Sequence, residues 1–168
     1  MSCLATYARK LCESEKGLLV TVGSLEVHPN VINVVPKKVI ATVDLRHPDN
    51  TAAYRAMEAL ELFTKQNVSF DGLSHQWETL VDIKSIKFDP RVISAVKKSC
   101  DKNGYTHRPM ISGAGHDAQL LSSRYASGMI FIPSRDGVSH AVDEFSSERQ
   151  IEKGANVLLD TMLELDAR

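Results

Sequence analysis

Little in this chain supports a covalent, membrane or nucleic-acid chemistry. Its three cysteines, Cys3, Cys12 and Cys100, are odd in number and fit neither a metal knuckle nor a disulfide framework. That excludes a stapled secreted scaffold and points to a reducing, cytoplasmic compartment. None has an adjacent base, which argues against a cysteine nucleophile. No apolar run approaches the roughly 18 residues of a membrane span. The start carries no basic stretch followed by an apolar core, so no signal peptide is expected. Charge is balanced, 20 Lys and Arg against 21 Asp and Glu, which removes the electrostatic case for nucleic acid or an anionic membrane as partner. Ser112, Ser127 and Ser139 fit no Gly-x-Ser-x-Gly elbow, and the glycine loop at 113–115 lacks the lysine and spacing of a phosphate cradle. No internal repeat or low-complexity stretch is visible.

What is present is a soluble globular composition, 43% hydrophobic over 168 residues, enough for one domain or two small ones. Residues 3–15 have helical composition, and Gly17 fits a helix stop. Leu18–Val27, Val31–Val35 and Val39–Leu45 are rich in β-formers and read as strands, the last two separated by Pro36-Lys37-Lys38. Asp49 or Asn50 can cap a helix over Thr51–Lys65, where Ala53, Met57, Leu60 and Phe63 recur at helical spacing. Val68–Ile86 alternates more like strand, with Asp71-Gly72 as a turn. This part predicts a small antiparallel sheet with helices on one face.

Phe88-Asp89-Pro90 is a boundary signal, with Asp89 as cap and Pro90 suited to the first helical position, dividing the chain into 1–87 and 88–168. A helix over Arg91–Lys102, stopped by Asn103-Gly104, leads to a strand at 105–111, a glycine loop, a short helix over Ala118–Ser123 and a buried strand over 128–133. A last helix carries Ile151, Val157, Leu158, Met162 and Leu165 on one side. The second part reads as an α/β layer.

The chemistry concentrates in the two loops that flank the 128–133 run. The first is Ser112-Gly113-Ala114-Gly115-His116-Asp117; the second, Gly137-Val138-Ser139-His140, places its imidazole 24 residues after the first. Glycines allow positive φ and close backbone approach, so His116 with neighbouring N–H groups could hold a developing oxyanion. A tight turn in which His116 or Asp117 caps the next helix is equally open. His140 can be a metal ligand or a loop residue capping the following helix. Arg46 can grip a carboxylate through paired hydrogen bonds with Asn33 beside it on an adjacent strand; a surface salt bridge and a turn residue is the plainer alternative. His47-Pro48-Asp49 has the form of a metal-binding His-x-Asp, yet it ends a strand and opens a helix, where Asp49 serves as cap. His75 and His107 have no supporting neighbours.

Together these segments resemble a known family. Thr21-Val22-Gly23, Pro29-Asn30-Val31-Ile32-Asn33-Val34-Val35-Pro36 and Val43-Asp44-Leu45-Arg46-His47-Pro48 resemble the lid domain of the hydantoinase/carbamoylase amidohydrolases of metallopeptidase family 20. That group includes allantoate, β-ureidopropionate and N-carbamoyl-L-amino-acid hydrolases. Ser112–Ala118 and Met129–His140 resemble its C-terminal catalytic segments. The resemblance implies an α+β lid, 1–87, lacking its first strand, beside part of a zinc-aminopeptidase-like α/β catalytic layer, 88–168. It implies hydrolysis of a C–N bond in a linear amide or ureido substrate that bears a carboxylate, using two divalent ions, zinc or manganese. His140 resembles the C-terminal metal ligand and His116 the histidine at the scissile group. Asn33 and Arg46 resemble the lid residues that bind the substrate carboxylate, with the Gly115 backbone assisting. The lid implies a homodimer and can bring its residues to a neighbouring subunit's site.

The departures shape the expectation. The family's N-terminal catalytic segment supplies a His-x-Asp pair and an adjacent Glu-Glu; this chain has no Glu-Glu, and its single His-x-Asp is His47-Pro48-Asp49. Ala141-Val142 replace the residues that usually follow the last ligand histidine. The expectation is a truncated form, inactive alone. The alternatives are a non-enzymatic dimerisation module pairing with a full-length paralogue, or a reading frame cut short.

Overall fold

The computed structural model describes residues 2–70 and 72–167. The chain divides into two compact units, residues 1–85 and 86–168. Among the described residues no helix is long and apolar enough to cross a membrane.

The first unit contains α1 (Ser2–Ser14), β1 (Leu19–His28), β2 (Lys38–Arg46) and α2 (Asn50–Phe70). Gly17, at φ 95°, turns the chain out of α1 in a conformation that suits glycine. β1 and β2 pair antiparallel from Leu19↔Arg46 to His28↔Lys38, with a bulge between Val22 and Ser24 that leaves Gly23 unpaired. The period of two puts Val20, Val22, Val43 and Leu45 on one face, where Val20 lies opposite Leu45 and Val22 opposite Val43. That face packs on a core of Leu4, Ala8 and Leu60, joined by Tyr7, Leu11 and Trp77. Tyr7 stacks on Phe63 with ring centroids 4.1 Å apart, tying α1 to α2. Asp49 caps α2, its Oδ1 accepting from Ala52 N–H at 3.0 Å.

Two strand expectations fail in this unit. Val31–Val35 is the hairpin connection, not a strand: Lys37 donates its N–H to the His28 carbonyl at 2.8 Å and closes the hairpin below these residues. Pro29 and Pro36 cannot donate to a ladder, and the four aliphatic side chains stand exposed, Ile32 completely. The described residues of Val68–Ile86 form no strand either. α2 runs on through its first residues, and 73–86 has no regular secondary structure and is fastened by side chains. Asn50 and Ser85 exchange two hydrogen bonds, Ser85 Oγ donates to the His47 carbonyl at 2.6 Å, and Tyr54 Oη donates to the Asp82 carboxylate. Asp71 of the expected turn lies outside the described residues.

The second unit contains α3 (Pro90–Lys102), α4 (Asp117–Leu121), a single 3-10 turn over Arg135–Gly137 and α5 (Glu148–Asp166). Asp89 caps α3, accepting from Arg91 N–H, and Pro90 opens it. Ser147 caps α5 through Gln150 N–H. α3 and α5 pack through Ala95, Ser99, Cys100, Val157 and Thr161, small or β-branched residues that let the backbones approach. Buried Ser99 donates to the Val157 carbonyl at 3.2 Å. Lys98 with Glu164 and Lys102 with Asp160 run the two helices antiparallel. The expected strands at 105–111 and 128–133 form no ladder among the described residues. They have no regular secondary structure, and 128–133 is half-buried to exposed rather than fully buried. Ile132 packs on α5, where a Cβ on Gly154 would fall 2.6 Å from its Cγ2.

Candidate functional site

The hairpin places Asn33 and Arg46 apart. Asn33 sits exposed in the connection at one end, while Arg46 is the last residue of β2 at the other. Eight residue steps from Lys38 to Arg46 span about 27 Å at roughly 3.4 Å per residue. The expected side-by-side arrangement on adjacent strands is therefore replaced by opposite ends of one hairpin, because the connection absorbs 29–37.

Arg46 is held from within its own strand. Asp44, two residues earlier and so on the same face, accepts from Arg46 Nε at 2.8 Å and Nη2 at 2.6 Å. The hydrogen bonds hold the Asp44 carboxyl below its ordinary range and raise the Arg46 guanidinium. Both side chains are about half exposed, 49% and 47%, so the pair orients more than it stabilises. The i, i+2 spacing of Asp44 and Arg46 in a strand is the sequence signal for this pair.

His47 is spent on structure. Asp49 N–H donates to its Nδ1 at 2.9 Å, which leaves the proton on Nε2, 3.2 Å from the Lys16 carbonyl. His107, without a supporting neighbour in sequence, faces the Asp101 carboxylate at 3.0 Å.

In the second unit, Ser112 Oγ bridges the glycine loop, accepting from Ala114 N–H at 3.2 Å and donating to the Ala114 carbonyl at 3.1 Å. Neither Gly113 nor Gly115 takes positive φ. A Cβ at Gly115 would meet Gln119 Oε1 at 3.9 Å, ordinary contact, so the fold itself leaves room for a larger residue there. His116 is the residue before α4 in extended conformation, half-buried, with no side-chain capping bond. Among the described residues neither of its ring nitrogens has a hydrogen-bond partner. Its ring instead meets the Phe131 ring edge-on, centroids 5.7 Å apart at 66°.

His140 adopts φ 57°, in the left-handed region, as does Asp136 at φ 56°. Glu144 Oε2 accepts the His140 N–H at 3.0 Å, and Glu144 N–H returns to the Ala141 carbonyl at 3.1 Å. That exchange fixes a tight turn that presents the imidazole to solvent. Burial pushes the Cys100 thiol up, Asp101 adding to it, so this cysteine stays a neutral core residue. Among the described residues no group of three or more His, Cys, Asp or Glu side chains gathers where it could hold a metal ion.

Comparison with known proteins supplies the frame. The model of peptidase family M20/M25/M40 matches residues 9–164. The chain is 34% identical over 155 residues to an allantoate amidohydrolase of Bacillus subtilis (strain 168), covering 88% of this chain and 36% of that protein. It is 31% identical over 154 residues to an N-carbamoyl-L-amino-acid amidohydrolase of Paenarthrobacter aurescens, covering 92% and 37%. Its fold superposes on the crystal structure of an amidase of the hydantoinase/carbamoylase family from Burkholderia multivorans with a TM-score of 0.89 at 36% identity, over 97% of this chain and 40% of that one. The chain thus spans little more than a third of the length of the curated relatives it matches. With a family match running across nearly all of its residues, the chain belongs to peptidase family M20/M25/M40.

Proposed function

We propose that the chain is the lid and the C-terminal catalytic portion of a metal-dependent amidohydrolase that cleaves a C–N bond in a linear amide or ureido substrate bearing a carboxylate. The observation that carries this reading is the likeness over nearly the whole chain to the Burkholderia multivorans amidase and to the allantoate and N-carbamoyl-amino-acid hydrolases. Residues 1–87 act as lid and dimerisation domain, and 88–168 as the catalytic portion.

The residues present do not fit a two-ion zinc or manganese centre by themselves. His140 is one ligand, and a metal site needs three or four. The local geometry supports that role for His140: a histidine at φ 57° costs more than a glycine would, and such strain clusters where a side chain has work to do. Arg46, oriented by Asp44, grips the substrate carboxylate with charge-assisted hydrogen bonds. His116 donates an N–H to the oxygen of the scissile carbonyl as negative charge grows there; its unpartnered nitrogens suit that task. Gly115 allows the substrate to approach the backbone, a reason for glycine where the fold needs none. Asn33, at the opposite end of the hairpin from Arg46, serves a second copy's substrate, which makes a homodimer part of the reading.

A second reading, a non-enzymatic lid pairing with a full-length paralogue, is favoured by the exposed tip of Val31, Ile32, Val34 and Val35. One experiment separates the two. The chain replaces the matching segment of the Bacillus subtilis allantoate amidohydrolase, and the chimera is assayed with manganese or zinc on allantoate, N-carbamoyl-β-alanine and N-carbamoyl amino acids. Chelator-sensitive turnover, lost in His140→Ala and with KM raised in Arg46→Ala, is expected. A correctly folded, metal-loaded chimera with no turnover would leave the pairing reading.

A further inference from the structure

The 128–133 segment has two sides. Ile130 and Ile132 line the apolar cleft shared with Val92, Val96, Ile151 and Leu158 of α3 and α5. Gly128 packs closely there too, where a Cβ would fall 2.6 Å from Val92 Cγ1. Phe131, the residue between the two isoleucines, does not line that cleft. Phe131 accordingly stands outside this core with 48% of its surface exposed. A large aromatic side chain that contributes little to the helix-backed core calls for another explanation, and its ring contact is with His116 at 5.7 Å and 66°.

His116 needs such a neighbour. It lies between the glycine loop and a helix of five residues, and among the described residues no hydrogen bond fixes its ring. A histidine that must present an N–H in one direction is usually oriented through its second nitrogen. Here an edge-to-face aromatic contact can restrict the ring's rotation while leaving both nitrogens available.

We propose that Phe131 is the positioning residue of His116, fixing the plane of its imidazole toward the substrate carbonyl without spending either nitrogen. The inference rests on the role given to His116 above. It adds a residue that touches no reacting atom and acts through the imidazole alone. It also accounts for an aromatic on the outer side of this segment while its inner neighbours are aliphatic.

The test uses the full 168-residue chain and reads His116 directly, so it does not depend on turnover. Imidazole proton–carbon NMR spectra resolve the histidines, and His116→Ala identifies the His116 signals by their loss. In the wild type and Phe131→Tyr, the His116 signals carry a ring-current displacement. In Phe131→Leu they move to the positions of a mobile histidine, while the signals of the other five histidines stay in place. Diethyl pyrocarbonate modification of His116, followed by peptide mass spectrometry, rises about 2- to 10-fold in Phe131→Leu and returns to the wild-type rate in Phe131→Tyr. Unchanged His116 signals and reactivity in Phe131→Leu would overturn the proposal. So would parallel changes in all the histidines with loss of helical circular dichroism, because Phe131 would then support the fold rather than one ring. If His116 proves dispensable in the chimera, the functional reading fails while this contact stands or falls on its own data.

Discussion

The two units treat β-forming sequence differently. In the first, β1 and β2 satisfy each other's backbone groups, and their inward face rests on α1 and α2 through Val20, Val43 and Leu45. In the second, 105–111 and 128–133 carry the same kind of β-forming sequence but find no ladder among the described residues. They lie beside antiparallel helices that hold each other. A hairpin completes its own hydrogen bonding, whereas strands of a larger sheet depend on partners distant in sequence. The hairpin therefore needs no partner beyond its own unit, whereas the second unit's segments stay without a ladder among the described residues.

The largest effect should come from the centre of the first unit. Leu60 is 1% exposed, and Leu60→Ala should lower stability by about 2–5 kcal/mol in urea denaturation monitored by circular dichroism. A loss well under that would mean the hairpin is not anchored on this core. Hydrogen exchange sharpens the contrast between the units. The paired amides of β1 and β2 should exchange at least about tenfold more slowly than those of 105–111 and 128–133. Equal protection would show that the second unit's segments have found partners, in a second copy for example.

Acid should act through the capping and bridging carboxylates. Asp89 is held down to about 2 by hydrogen bonds from the Arg91 side chain and backbone. Asp160, beside Lys102 and Asn103, is lowered as well. A carboxyl whose folded pKa is depressed stabilises above its unfolded pKa and loses that contribution as pH falls toward the folded one. The denaturation midpoint should therefore hold at neutral pH and fall as the pH drops from about 4 toward 2. Asp89→Asn should flatten part of that fall. An unchanged profile in this variant would remove Asp89 from the account. The smallest effect is at the second histidine loop. His140→Gly should leave stability unchanged or raise it by up to about 1 kcal/mol in the same denaturation assay, because the φ of 57° no longer opposes a side chain. A clear loss would show that the imidazole supports the fold.

Much of this architecture is legible in local sequence. The Asp89-Pro90 cap, the Asn103-Gly104 stop and the helical spacing around Leu60 all speak of short-range physics, and the structure has α2 and α3 there. Val31–Val35 misleads because β-propensity reports a fit to a pleated, half-buried surface. Nothing local says that two prolines and a closing bond at Lys37 turn this segment into an exposed tip. The segments 105–111 and 128–133 carry β-forming sequence, but pairing is not a local property. In the candidate site, the loops at 112–117 and 137–140 are readable from their composition. The Asp44 clamp on Arg46, the Phe131 contact with His116 and the left-handed turn at His140 depend on geometry.

The central proposal is that His140 serves as one metal ligand and that the chain does not assemble the metal pair alone. Elemental analysis of the purified 168-residue protein after dialysis from zinc or manganese, with a parallel assay on N-carbamoyl-β-alanine and allantoate, tests it directly. The account predicts no retained ions and no turnover. Two ions per chain surviving dialysis, with ureido hydrolysis abolished by chelator, would contradict it.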